Sequence, residues 1–290
     1  MIRSMTGYGS AEKITKRYHI KIELKSLNGK FLELNLRTPK MLREKEPQLR
    51  KYLTPKMIRG SVLCMLSIDS TDETVAGSKL NTALAKHYYE QIKTLSDELG
   101  ANDKDILRSI IMMPDVMTSD DTGLEDEDWE DVMAVIDEAY QKFDSFRINE
   151  GAELCNMLLK HNAIIQEQIP LIETFEEERK QLVKDRLTAG LEDFSKDNKV
   201  DQNRFEQELI YYLEKLDIAE EKNRLRTHCE LFENEINKGA NGKKLGFISQ
   251  EMGREINTLG SKAGFAPIQE LVIVMKEELE KIKEQTFNVL

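Results

Sequence analysis

The stretch 242–263, GKKLGFISQEMGREINTLGSKA, decides how the rest of the chain is read. Leu245, Ile248, Met252, Ile256 and Leu259 recur every three or four residues, the spacing of one apolar face on an α-helix. Between them stand Gln250, Glu251, Arg254, Glu255, Asn257, Thr258, Ser261 and Lys262. Glu251 and Glu255 are four apart, one helical turn from each other. Carboxylates so spaced can hold a divalent cation or share acid–base work. They equally suit a solvated helix face. Asn257 to Lys262 is expected to leave the helix through Gly260 and Gly264, with side chains that can donate to phosphate oxygens.

Working upstream, 203–237 reads as one long helix. Asp217, Glu221, Arg224 and His228 fall at helical spacing on a single face. A stripe of acid, base and imidazole is what an active-site wall requires, and also what a surface ion-pair ladder looks like. His228 is one of four histidines, and an imidazole serves as metal ligand or general base near neutral pH. Its neighbour Cys229 projects about 100° away on a helix, so adjacency makes no Cys–His dyad. The NKGANG turn at 237–242 would fold the two helices into a hairpin and carry His228 toward Glu251 and Glu255. GANGKK lacks the spacing of a phosphate-cradling loop, so no nucleotide cofactor is expected. A final amphipathic helix is expected over 269–289.

The other end of the chain reads differently. Tyr18, Ile20, Ile22 and Leu24 alternate with polar residues, as do Leu32, Leu34 and Leu36. Asn28-Gly29 lies between the two runs, a hairpin signal. Residues 42–57 suggest one helix or two short ones, interrupted by Pro47 and Pro55, and 60–70 a buried strand. The fold class expected is α+β: a small N-terminal antiparallel sheet domain with helices, then a long-helix C-terminal region. Composition and charge draw three regions: 1–78, a basic α+β domain; 79–200, acidic and helical with protruding helices; 201–290, the helical signature domain. A helix is expected over 81–99, an exposed acidic loop over 118–128, and helix from Trp129 onward with breaks near Pro170 and near 197–200. The mostly charged stretch between Pro170 and Asn198 suits a protruding helix or helical hairpin that pairs with another subunit.

The whole chain has 290 residues and a formal net charge of −11, which by itself argues against a polyanionic partner. The distribution argues otherwise. Residues 1–60 hold fifteen Lys and Arg against five Asp and Glu, a balance of +10, whereas 97–138 hold fifteen acids against Lys104 and Arg108. On the polar faces of the strands, Lys21, Lys25, Lys30 and Arg37 can form a patch for phosphates, or simply a solvated sheet face. No apolar run is long enough to span a membrane, and no secretory leader is visible at the N-terminus. Three scattered cysteines without a CxxC pattern suit a reducing cytoplasm.

GKKLGFISQEMGREINTLGSKA resembles the C-terminal signature of the YicC/YloC family of bacterial endoribonucleases. MIRSMTGYG, LKSLNGKFLELNLRTP, IRGSV and DIAEEKNRLRTHCELF resemble further segments of that family in the expected order. Arg147, Glu150 and Gly151 stand where its RxxEG pattern would. Residues 71–144 match more loosely. The resemblance implies cleavage of RNA within the strand, dependence on a divalent metal and assembly into a hexamer. On that footing the expected chemistry is hydrolysis assisted by Mn²⁺ or Mg²⁺, with Glu251, Glu255 and His228 as ligands and catalytic groups. Arg3, Lys21, Lys30, Arg37, Arg224, Arg254, Asn257, Ser261 and Lys262 are the expected RNA contacts. In a metal-independent alternative the RNA 2′-hydroxyl attacks with His228 as base. A non-catalytic RNA-binding scaffold serving another nuclease is the rival of a different class.

Overall fold

Strand β1 (Gly7–Ile14) turns into β2 (Tyr18–Leu27) through Thr15, whose N–H donates to the Tyr18 carbonyl at 2.8 Å. So short a link allows only antiparallel pairing. After β3 (Leu32–Arg37) come a 3₁₀ turn, helix α1 (Glu46–Leu53) and a second 3₁₀ turn. Strand β4 (Gly60–Ser70) follows, and the sheet order is β1-β2-β4-β3. Thr71 N–H donates to the Arg17 carbonyl, so β4 ends where β2 begins and the two run antiparallel. β3 and β4 run parallel, Leu32 opposite Gly60 through Arg37 opposite Met65. The Asn28-Gly29 hairpin expected between β2 and β3 therefore does not form, and the sheet carries one parallel edge. Burial explains this. Val62, Cys64 and Leu66 are fully apolar and buried, so β4 takes the central place, while β3 is only half-buried and sits at the edge. The crossover through α1 is long enough to return the chain parallel.

The described residues are 2–71, 79–100, 105–118, 124–195, 207, 210–211 and 214–290 of the computed structural model. The chain forms two units. A sheet unit comprises Tyr8–Ser26 and Phe31–Phe143, and a helical unit comprises Met1–Gly7, Leu27–Lys30 and Asp144–Leu290. Helix α2 (Thr82–Leu99) is capped by Asn81, whose side chain accepts from the Leu84 N–H. The short α3 (Ile106–Ile111) follows, and two-residue strands β5 (Lys79–Leu80) and β6 (Met117–Thr118) pair antiparallel. Helix α4 (Asp126–Ser195) begins inside the expected acidic loop, and much of the remainder of that loop lies outside the described residues, as do the expected break at 197–200 and much of 196–213. α4 also runs straight through Pro170, where a break was expected. Ile165, Ile169 and Ile172 are buried on either side, so packing holds the helix across the lost hydrogen bond.

In the sheet unit the inner faces of β1, β2 and β4 pack on α1 and on Val132, Val135, Ile136, Ala139 and Phe143 of α4. A Cβ at Gly9 would fall onto the Ala139 carbonyl and lie 2.5 Å from the Phe143 nitrogen, so only glycine lets β1 approach this helix. Ion pairs ring the same contact: Lys13–Asp131 at 2.7 Å, Arg17–Glu125 at 2.6 Å, Lys45–Asp126 at 3.2 Å and Lys56–Asp137 at 3.1 Å. Tyr52 donates to Asp137 as well, and the Lys56 ammonium lies 3.8 Å from the centre of the Tyr52 ring. Burial pushes the Asp137 carboxyl up, but the hydrogen bonds from Tyr52 and Lys56 outweigh it and hold the group below its ordinary value.

In the helical unit the long helix expected over 203–237 is interrupted. Asp217 and Ile218 are not helical, and α5 covers Ala219–Asn237. The Asp217 carboxylate accepts from the Ala219 N–H at 3.1 Å, a local turn contact just before the N-cap residue Ile218, so Asp217 lies outside the helical stripe. Helix α6 (Gly242–Ala263) does not end at Asn257 but runs through Gly260 to a left-handed Gly264. Helix α7 (Ala266–Thr286) then returns along it. Gly246, Gly253 and Gly260 recur every seven residues and meet Thr286, Leu279 and Val272, which also step by seven. A Cβ at Gly253 would lie 3.1 Å from Leu279 Cδ2, so these glycines let the two helices approach closely. Beyond α7, Ser4 bridges Val289, and Met5 N–H donates to the Asn288 carbonyl at 2.8 Å. The buried Arg147 Nε donates to the Ser4 carbonyl at 2.9 Å.

Gly253→Val is expected to destabilise the helical unit by about 1–3 kcal/mol through overpacking. Urea unfolding of the variant beside the wild-type chain measures the effect, and an unchanged midpoint would contradict the close approach.

Candidate active site

Helices α5 and α6 form an antiparallel hairpin pinned at both ends. Near the turn, Lys244 Nζ lies 2.5 Å from a Glu235 carboxylate oxygen. At the open end, Lys262 Nζ donates to Glu221 at 2.6 Å. Asn241 caps α6 by accepting from the Lys244 N–H at 3.0 Å. Counting inward from these two ion pairs, His228 on α5 lies level with the segment Glu251–Glu255 on α6. The hairpin thus sets His228 at the height of the two glutamates along the helix axes.

The side chains differ sharply in setting. Glu255 is 5% exposed as a residue; among the described residues its carboxylate makes no hydrogen bond or ion pair, and its oxygens are not among the fully enclosed ones, so they reach solvent. Glu251 is exposed, although it is only one turn away, and His228 is half-buried. Among the described residues no three His, Cys, Asp or Glu side chains converge as a metal site. Glu251, Glu255 and His228 as placed in one chain do not make a three-donor cage. Cys229 is fully buried, and burial pushes its thiol up to about 12, which leaves it a core residue.

Arg254, Asn257 and Ser261 lie exposed with Glu251 along the outer face of α6. The Ser261 hydroxyl donates to the Thr258 carbonyl at 3.0 Å, and the Arg254 guanidinium has no ion-pair partner among the described residues. Arg224 is exposed and tied to Glu220 at 2.5 Å, and Arg3 pairs with Asp144 at 3.1 Å. Lys30 is exposed and belongs to the helical unit's Leu27–Lys30 segment. Lys21 and Arg37 are exposed on the sheet unit's outer face. That face is mixed in charge. Lys25 pairs with Glu23 at 3.0 Å, and Glu12 and Glu33 are exposed there too.

The structure adds residues that the sequence did not single out. Arg179 on α4 is buried, and it donates to the carbonyls of Ala263 at 2.5 Å, Leu216 at 2.6 Å and Lys262 at 2.9 Å. Lys222 is buried beside Glu176 at 2.7 Å, and Arg226 reaches Glu173 at 3.2 Å. One face of the charged stretch after Pro170, carrying Ile172, Phe175, Glu176 and Arg179, therefore turns inward, and most described side chains from Lys180 to Ala189 are exposed. The one sequence signal was Glu221, three residues from Arg224 in the stripe.

Two helices, each with one buried face, thus present acid, imidazole and cation along one hairpin. Residues 2–156 match the family described as "Endoribonuclease YicC-like, N-terminal region", and 172–290 match "Endoribonuclease YicC-like, C-terminal". The chain belongs to this endoribonuclease YicC-like family. It is 29% identical over 293 residues to the "Probable endoribonuclease YicC" of Clostridioides difficile, covering all of both chains. It is 30% identical over 298 residues to the protein of the same name from Haemophilus influenzae, again over the full length of each.

Lys244 holds the Glu235 carboxyl below its ordinary value, chiefly by its hydrogen bond and against the effect of burial. A group so depressed contributes stability above its ordinary value near 4.5, lost as the pH falls through the lower folded value. Glu235→Gln should therefore flatten the acid limb of the melting-temperature profile. An acid limb identical to the wild type would remove the pin from the hairpin's turn end.

Proposed function

We propose that this protein is an endoribonuclease that hydrolyses phosphodiester bonds inside single-stranded or structured RNA. The observation that carries the reading is the register of the hairpin, which sets Glu255, a 5% exposed residue whose carboxylate has no hydrogen-bond or ion-pair partner among the described residues, level with His228. Family membership supports the reaction class.

In this reading His228 and Glu255 handle protons at the reacting phosphate, and Glu251 flanks them from the solvent side. Arg224, Arg254 and Lys262 offset the charge that grows on the phosphoryl oxygens. Asn257 and Ser261 donate to the RNA backbone, as would Arg3, Lys21, Lys30 and Arg37 along the bound strand. A requirement for Mn²⁺ or Mg²⁺ belongs to the proposal; a bound divalent cation would polarise the phosphoryl oxygen. So do a hexameric assembly and a cytoplasmic setting. Among the described residues no helix is long and apolar enough to cross a membrane.

End-labelled RNA is incubated with the purified protein in Mn²⁺, Mg²⁺ or chelator. The proposal expects internal cuts that need the metal. His228→Ala and Glu255→Gln should each lower cleavage by about 100-fold or more while leaving RNA affinity within a few-fold. RNA bound but uncut in every condition would instead favour a scaffold that serves another nuclease. Substrate carrying a 2′-deoxy group at the cut site separates the routes. Normal cutting of it removes attack by the 2′-hydroxyl, and resistance removes direct hydrolysis.

A further inference from the structure

Among the expected RNA contacts, Lys262 has its ammonium held by a buried acid, Glu221. Its Nζ donates to Glu221 Oε1 at 2.6 Å and to the Asp217 backbone carbonyl at 3.1 Å. An ammonium has three N–H groups, so one is left, and the side chain is 33% exposed. The lysine is thus aimed rather than mobile, with a donor to spare toward solvent.

Its holder is unusual. Glu221 is 6% exposed, and its second oxygen, Oε2, is buried without any hydrogen-bond partner. A bare carboxylate oxygen in the interior costs stability, whereas an ordinary surface ion pair costs none. The arrangement directs the whole negative charge of Glu221 at a single lysine. The backbone beneath that lysine is fixed as well. Arg179 is buried, and it grips the carbonyls of Lys262 and Ala263 on α6 and of Leu216 just before Asp217. Arg179 and Asp217 also line a cleft of about 380 Å³ with Glu176, Lys180 and Glu214. Three elements of the helical unit therefore converge to fix one ammonium.

We propose that Glu221 is a positioning residue for Lys262, and that Lys262 so held supplies a fixed positive charge to the phosphoryl group during RNA cleavage. This inference rests on the endoribonuclease reading. Glu221 does not touch RNA. It acts by keeping the ammonium in place, which matters most when charge on the phosphate is greatest.

The test is a double-mutant cycle on the full chain, with kcat and KM measured on an end-labelled single-stranded RNA and thermal unfolding measured on every variant. Lys262→Ala and Glu221→Ala are each expected to lower kcat about tenfold or more, with KM moving far less. The double variant should be no slower than Lys262→Ala alone, because Glu221 has nothing left to position. Glu221→Gln keeps an oxygen acceptor at the same place and should recover part of the loss. A merely structural glutamate would multiply its effect onto Lys262→Ala and would follow the fraction of folded protein. If the wild type cuts RNA and the two losses multiply, the positioning role is overturned and the endoribonuclease reading stands. If the wild type cuts no RNA, that reading falls and this proposal falls with it.

Discussion

The close approach of α6 to α7 is the constraint on which the helical unit depends. Gly246, Gly253 and Gly260 give α6 one edge with no side chains, and Val272, Leu279 and Thr286 fill it. A second face, carrying Leu245, Ile248, Met252, Ile256 and Leu259, is buried in the common core. With two sides committed, the polar residues of α6 have only the outer face and the seam with α5. Glu251, Arg254, Asn257 and Ser261 take the former, and Glu255 and Lys262 lie toward the latter. The site is therefore a by-product of packing geometry in its placement, though not in its chemistry.

The charge asymmetry of the chain acquires a different meaning in the folded sheet unit. The sequence sets a basic segment against an acidic one, which suggests a molecule with a free positive face. In the fold, Lys13, Arg17, Lys45 and Lys56 meet Asp131, Glu125, Asp126 and Asp137 at the start of α4. Part of the N-terminal basic excess is thus matched internally, by acids drawn from the other charged segment. Such exposed pairs add little stability one by one, but they specify which end of α4 the sheet accepts. What remains for an external anion is sparser than the count suggests. Lys21 and Arg37 make no ion pair among the described residues, and acids stand between them.

Local periodicity was enough to read most of the architecture. The alternation in β2 and β3, the apolar stripe of α6 and the turn before it follow from spacing alone, because each buries a face within a few residues. Pairing did not follow. Asn28-Gly29 has hairpin chemistry, yet β3 lies beside β4, since strand order is decided by which strand buries most. Pro170 and the Asp217–Ile218 interruption misled in opposite directions. Tertiary packing carried α4 across a proline, and an aspartate that bonds the backbone two residues on marks the break before α5. In the site, His228, Glu251 and Glu255 were legible as residue types at helical spacing. That one glutamate is buried and the other exposed was not, because a difference of about 40° around a helix matters only once a neighbour is in place. Arg179 was illegible for a plainer reason. Its partners are backbone carbonyls more than thirty residues away, and carbonyls leave no mark in a sequence.

The bridge between Ser4 and Val289 ties residues near the two ends of the chain into one ladder, with Arg147 holding the first of them from the middle. In the cell such an arrangement sets an order of events. The sheet unit, which ends at Phe143, has all its residues while the ribosome is still making the second half. The helical unit cannot close until residues 288–290 are free to pair with residues 3–5, which have been waiting since the first seconds of synthesis. Closure over so long a loop is slow compared with forming any single helix. If RNA cleavage resides in that unit, the nascent protein has no finished site until residues 288–290 have been made.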